Sequence, residues 1–100
     1  MGEYQITCVI MSDGEKSNEN ITHMGNQADK WLLSKESIIH QIKSNTHNFY
    51  TIEAKTGNRN YVGIVKELKK SAYLRTHADN KWNDNLLTQS ECDDDCKFLA

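Results

Sequence analysis

The sequence predicts an α+β domain, a small mainly antiparallel sheet with one helix packed on one face. Three observations carry this. One segment, from Ser34 to Asn45, has the chemistry of a helix with both ends marked; several short runs are rich in aromatic and β-branched residues; and the last three runs are joined by connections so short that only antiparallel neighbours are reachable.

The first run, "YQITCVIM", places Ile6, Cys8 and Ile10 in alternation with Gln5, Thr7 and Val9, as a half-buried strand requires. A polar stretch with an Asp13-Gly14 turn signal follows, and "ITHMG" reads as a short returning strand ended by Gly25. Ser34 is placed to cap "KESIIHQIKS", in which Ile38, Ile39 and Ile42 fall on one face to pack on a sheet. Asn45 suits the left-handed residue that stops a helix. "NFYTIEA", "YVGIVKEL" and "AYLRT" then form a meander through "KTGNRN" and "KK". With the helix on one face, Tyr50, Tyr61, Val65 and Tyr73 are left to line the other, where they either lie under loops, bind something or self-associate.

A chain of 100 residues fits one domain, taken here as residues 1–91, with 92–100 an acidic, flexible tail. Its 37% hydrophobic and 26% charged residues give a polar but foldable composition rather than a disordered one. No apolar run approaches the ~20 residues of a membrane span, and "MGEYQITCVI" lacks the features of a signal peptide. Three cysteines, an odd number, fit a reduced compartment better than a disulfide scaffold, so a cytoplasmic location is expected and the sequon at Asn20 carries no meaning. The net charge of -2 argues against a general nucleic-acid or anionic-membrane binder. Lys66, Lys69, Lys70 and Arg75 form a basic cluster, which at a hairpin serves first to guard a strand edge.

The stretch "AYLRTHADNKWNDNLL" localises a candidate site. Arg75 offers a bidentate fork to phosphate or carboxylate, Thr76 and Asn83 offer short polar contacts, and Trp82 can stack on a base. Asp79 and Asp84 can accept from ribose hydroxyls, with Asn85 and Tyr73 beside them. The structural alternative is that Asp79 and Asn80 make an Asx turn, Asp84 and Asn85 satisfy loop amides, and Leu86 and Leu87 plug the core.

"YLRTHADNKWNDNLLTQSEC" resembles the signature of the DUF3892 family, small bacterial and phage proteins of unknown function. The resemblance spans roughly residues 4 to 92 and rests on the initial strand, the Ser-opened helix with paired isoleucines, Tyr73 to Thr76, the Asp79-Asn80 turn, Asp84 to Leu87 and Cys92. Asn80 stands where the family pattern has Gly, and Ser90 where it has Pro. The resemblance implies a fold and a phage setting, and it implies no activity.

Other chemistries find little support in the spacing. Lys81 interrupts any EF-hand register begun at Asp79. Cys92 and Cys96 lack paired partners for a zinc site, and a Cys92–Cys96 disulfide would close a very small loop, so no metal is assigned. His47 and His77 can be imagined as an acid and base, yet nothing fixes them together. The expectation is a non-catalytic, cofactor-free binding protein that captures a small anionic nucleotide-like ligand, a sequestering role, and that forms a homo-oligomer. A protein-interaction module is the alternative, and a weak nucleic-acid binder a further one.

Overall fold

The computed structural model describes residues 2–12, 17–68, 71–93 and 96–98. The Asp13-Gly14 turn and the lysines at 69 and 70 lie outside them.

The strands are β1 (Gly2–Gln5), β2 (Cys8–Met11), β3 (Ile21–Asn26), β4 (Trp31–Ser34), β5 (His47–Ile52), β6 (Arg59–Val65), β7 (Tyr73–Ala78), β8 (Lys81–Asn83), β9 (Ser90–Glu91) and β10 (Lys97–Phe98), with one helix, α1 (Lys35–Lys43). They form two five-stranded sheets, ordered β1-β5-β6-β7-β8 and β10-β4-β3-β2-β9. The α+β class and the helix are as the sequence predicts; the strands divide between two sheets rather than one.

That division begins in the first run of the chain. The Ile6 amide donates to the Tyr50 carbonyl at 2.7 Å, in the first sheet, and the next amide, Thr7, donates to the Gly25 carbonyl at 2.9 Å, in the second. The run read as one strand is therefore two. β1 lies parallel to β5 and β2 antiparallel to β3.

α1 forms where its caps predict. The Ser34 hydroxyl accepts from the Ser37 amide at 3.1 Å, and Asn45 takes φ 56° past the C-terminus. The helix packs on β3 and β4 of the second sheet and on β5 and β7 of the first, burying Ile38. The core between the layers gathers Ile6, Val9, Ile21, Met24, Trp31, Leu33, Ile38, Phe49, Val62, Leu74 and Leu86. Gly25 is required in β3 by space, because a Cβ there would stand 2.2 Å from the Trp31 carbonyl oxygen.

Of residues 92–100, those described are held to the second sheet by the disulfide and by backbone bonds. Cys92 is bonded to Cys8, its amide donates to the Val9 carbonyl at 3.1 Å, and β10 pairs parallel with β4. Cys92 thus has its disulfide partner at the opposite end of the chain, not at Cys96. No helix among the described residues is long and apolar enough to cross a membrane.

Candidate functional site

The eight residues singled out in the sequence separate into three places. β7 and β8 form a hairpin whose two turn residues, Asp79 and Asn80, both adopt the left-handed conformation, at φ 54° and 64°. Two consecutive positive φ angles match the twist of a two-residue hairpin, and Asp and Asn tolerate them. Asp79 is thereby a turn residue at the hairpin tip. Strand alternation sends Trp82 to the outer face, edge-on to His77 at 5.5 Å between ring centres, and Asn83 to the inner one. Tyr73 lies at the far end of β7, buried, with its hydroxyl donating to Glu67 Oε1 at 3.3 Å.

Arg75, Thr76, Asn83, Asp84 and Asn85 do meet, and they bind one another. The inward row of the first sheet is apolar at Phe49, Val62 and Leu74, and becomes polar at Thr51, Asn60 and Thr76, all three buried. Polar groups removed from water need partners, and the segment after β8 supplies them. Thr76 Oγ1 donates to Asn83 Oδ1 at 2.6 Å and accepts from the Leu86 amide at 3.2 Å. Asn83 Oδ1 also accepts from the Asn85 amide at 3.0 Å, Asn83 Nδ2 donates to Asn60 Oδ1 at 2.8 Å, and Asn85 Nδ2 donates to Thr51 Oγ1 at 2.6 Å. Asp84 Oδ1 receives Arg75 Nε at 3.1 Å, Arg75 Nη2 at 3.0 Å and Asn18 Nδ2 at 3.1 Å. The Arg75 guanidinium, read as facing a ligand, is engaged by Asp84, read as an acceptor for ribose hydroxyls.

A shallow depression of about 300 Å³ borders this network, lined by Glu53, Asn60, Asn83, Asp84, Asn85 and Thr88. Asn60 is 3% exposed, and its Nδ2 has no hydrogen-bond partner among the described residues.

A more enclosed concave space, lined by aromatic rings, lies elsewhere. A cleft of about 250 Å³ opens between the sheets and the helix, lined by Tyr4, Trp31, Leu33, Ser37, Gln41, His47 and Phe49. β1 and β5, in parallel register with Gly2 opposite His47 and Tyr4 opposite Phe49, bring Tyr4 edge-on to His47 at 5.0 Å between centres. Trp31 reaches in from β4 of the other sheet, 6.1 Å from Tyr4 and 6.4 Å from Phe49. Ser37 and Gln41 are one helical turn apart and share the face of α1 that meets the cleft.

The polar groups of the cleft are ordered by one chain of hydrogen bonds. Gln41 Nε2 donates to Ser37 Oγ at 3.2 Å, which leaves Gln41 Oε1 as the acceptor facing His47 Nδ1 at 2.7 Å. An amide oxygen carries no hydrogen, so Nδ1 holds the proton, and in the neutral ring Nε2 is then an acceptor. Trp31, Leu33 and Phe49 are buried, while Tyr4 is 44% exposed at the mouth. No short motif announces these residues, because they are scattered from position 4 to 49.

The family model described as "Protein of unknown function (DUF3892)" matches residues 5–88. The chain belongs to this family. No curated protein and no solved structure matches it. The DUF3892 match ends at the 3-10 turn Asn85–Thr88 and so takes in the polar network, most of the cleft and Cys8.

Proposed function

We propose that the protein is a non-catalytic binding protein whose cleft takes a small planar heteroaromatic ligand of the nucleobase type, held by capture rather than turned over. The observation that carries this reading is the ring of Tyr4, Trp31, His47 and Phe49 around a concave space with Ser37 and Gln41 at its side. Such sites are mostly apolar walls with a few fixed polar groups, and flat rings gain from aromatic contact on either face. Gln41 still has one amide hydrogen and one oxygen lone pair beyond its bonds to Ser37 and His47, a donor and an acceptor side by side for the edge of a base. His47 is oriented by an uncharged amide, which supports binding over proton transfer. No Lys or Arg lines the cleft among the described residues, and Arg75 is engaged by Asp84, so the ring and not the phosphate of a nucleotide is what this site selects.

The test is a thermal-shift panel of free bases, nucleosides and nucleotides, with tryptophan emission read in a Trp82→Phe background so that Trp31 reports alone. A ligand at 100 times its Kd adds about 2.7 kcal/mol of stability. Neutral bases and nucleosides are expected to raise Tm with concentration, and Tyr4→Ala and Gln41→Ala to abolish the shift. A panel that leaves Tm and Trp31 emission unmoved refutes the reading.

One observation favours a second reading, docking of another copy of this chain on the outer face of the first sheet. Trp82, 46% exposed, sits on the edge strand β8 beside a face carrying Tyr50 and Tyr61, whose rings lie 6.1 Å apart. Sedimentation from micromolar to millimolar concentration is expected to show a dimer that Trp82→Glu dissociates; a monomer of 11.5 kDa throughout refutes it.

A further inference from the structure

The outer face of the second sheet carries sulfur. Cys8 and Ile10 of β2 point away from the main core, and with Leu32 of β4 they form a second, smaller apolar cluster that includes Cys92 and Cys96. The described residues that follow β9 are pinned on both sides of this face. The Asp93 amide donates to Gln27 Oε1 at 3.3 Å, Gln27 Nε2 donates to the Asp93 carboxylate, and the Lys97 amide donates to the Lys30 carbonyl at 3.1 Å. The three Sγ atoms of Cys8, Cys92 and Cys96 thereby lie within 4.8 Å of one another. Two are joined, Cys8 to Cys92, across 84 residues of sequence.

We infer that, once this bond is reduced, Cys8, Cys92 and Cys96 together hold one thiophilic d10 metal ion as a buried three-thiolate site. Three sulfurs around a common ion at ~2.3 Å stand ~3.8–4.0 Å from one another; the widest pair lies within 4.8 Å, and Cys8 and Cys92, bonded to each other, part on reduction to reach that spacing. Thiolates are soft ligands and select copper(I) and zinc over the hard cations that Asp and Glu clusters take. Copper(I) is satisfied by three sulfurs. Zinc completes a tetrahedron with a fourth donor, and Gln27 Oε1, 3.7 Å from Cys96 Sγ, is placed to supply it. Leu32 and Ile10 keep the surroundings dry, which disfavours bare thiolates and so ties their ionisation to the arrival of the cation.

The two states of the cluster exclude each other. A dithiol reductant passes two electrons and two protons to the Cys8–Cys92 bond and is itself oxidised to a disulfide. The three thiols of the protein then release their protons to solvent as the ion binds. Reoxidation of Cys8 and Cys92 by an oxidant of the disulfide class takes back two of the three ligands and expels the ion, so loading depends on the redox state of the compartment.

The experiment uses the full chain under anaerobic conditions, reduced and freed of reductant, and titrated with copper(I) from a chromophoric chelate or with Zn2+ against a metal-indicator dye. One ion per reduced chain and none for the disulfide form is the expected result, and whichever ion competes better names the occupant. Outer-shell changes around metals cost 10–100-fold, so loss of a ligand in Cys96→Ser is expected to weaken binding by more than ~100-fold. Circular dichroism establishes that the variant is folded. X-ray absorption on the loaded wild type needs no variant and is expected to count three sulfur neighbours. Less than ~0.2 ion per reduced chain against the dye, an unchanged affinity in folded Cys96→Ser, or fewer than three sulfurs overturns the inference.

Discussion

Thr76→Val isolates the network that occupies the polar stretch. The substitution keeps the shape of a fully buried side chain and deletes one hydroxyl. Three contacts go with it, two of them sharing the one hydroxyl hydrogen between Asn83 Oδ1 and the Asn83 carbonyl. The Leu86 amide, in a residue with no exposed surface, loses its acceptor, and an unsatisfied buried donor costs about 1–3 kcal/mol. Asn83 Oδ1 loses its 2.6 Å donor but keeps the Asn85 amide, so its share is nearer ~0.5–1 kcal/mol. The expected loss is ~1.5–4 kcal/mol. Thr76→Ser keeps the hydroxyl and gives up one buried methyl, worth about 0.8 kcal/mol. Urea unfolding followed by circular dichroism measures both; with m near ~1 kcal/mol/M, the midpoint falls by about 1.5 M or more for Val and by under ~1 M for Ser. Were the hydroxyl held ready for a ligand, Val would leave stability unchanged in the ligand-free protein. A Val variant within ~0.5 kcal/mol of wild type, or one more stable than Ser, refutes the structural role.

A double-mutant cycle at Arg75 and Asp84 is expected to give a coupling of only ~0.5–1 kcal/mol, because Asp84's side chain is 61% exposed and solvent screens the pair; a value near 3 kcal/mol would mean a buried pair and contradict the geometry. Gly25→Ala should cost more than ~3 kcal/mol, since the new methyl meets backbone oxygen, whereas Gly63→Ala meets only the rings of His77 and Trp82, which can swing outward, and should cost less than ~1 kcal/mol; thermal melts that rank them in the reverse order would refute this. Burial holds the Tyr73 hydroxyl above its ordinary pKa of 10.0, helped by the Glu67 charge beside it. The neutral phenol is thus favoured by folding, so its contribution is fully present below pH 10.0 and is lost as pH rises through the raised folded value. Melting measured from pH 8 to 11 should fall more steeply at the alkaline end in wild type than in Tyr73→Phe, and parallel curves would exclude Tyr73 as the cause.

What was legible in the sequence is what local chemistry dictates. Ser34 and Asn45 mark α1 because caps are satisfied within a few residues, and the meander of β5, β6 and β7 shows in its aromatic and β-branched runs. The alternation of Ile6, Cys8 and Ile10 was seen and its meaning missed. The chain changes sheets between Ile6 and Thr7, so Ile6 enters the main core while Cys8 joins the smaller cluster on the far side. β4 is a four-residue run, "WLLS", covered on both faces, which lacks the polar alternation by which a half-exposed strand is recognised. β8 was hidden because Asp79-Asn80 also suits an Asx turn, and reading it as a loop let Trp82 and Asn83 appear to share one site. β9 and β10 have two residues each, and their partners lie dozens of residues away. The cleft shares that limit, since Tyr4 and Phe49 meet only through a parallel pairing that no local pattern encodes.

The distance along the chain between paired strands sets an order of events during synthesis. β2 is made long before its outer neighbour, β9, with Cys8 opposite Ser90. The first sheet and α1 can assemble once β8 has been translated, whereas the second sheet waits, with an open edge at β2, for the segment beyond residue 88. Closing so long a loop costs entropy that only the finished pairing returns, and non-local contacts of this kind slow folding. A nascent chain stalled in the 80s should therefore hold a formed hairpin meander beside a half-built layer whose exposed edge invites other strands, which makes the pairing of β9 with β2 the step that closes that layer.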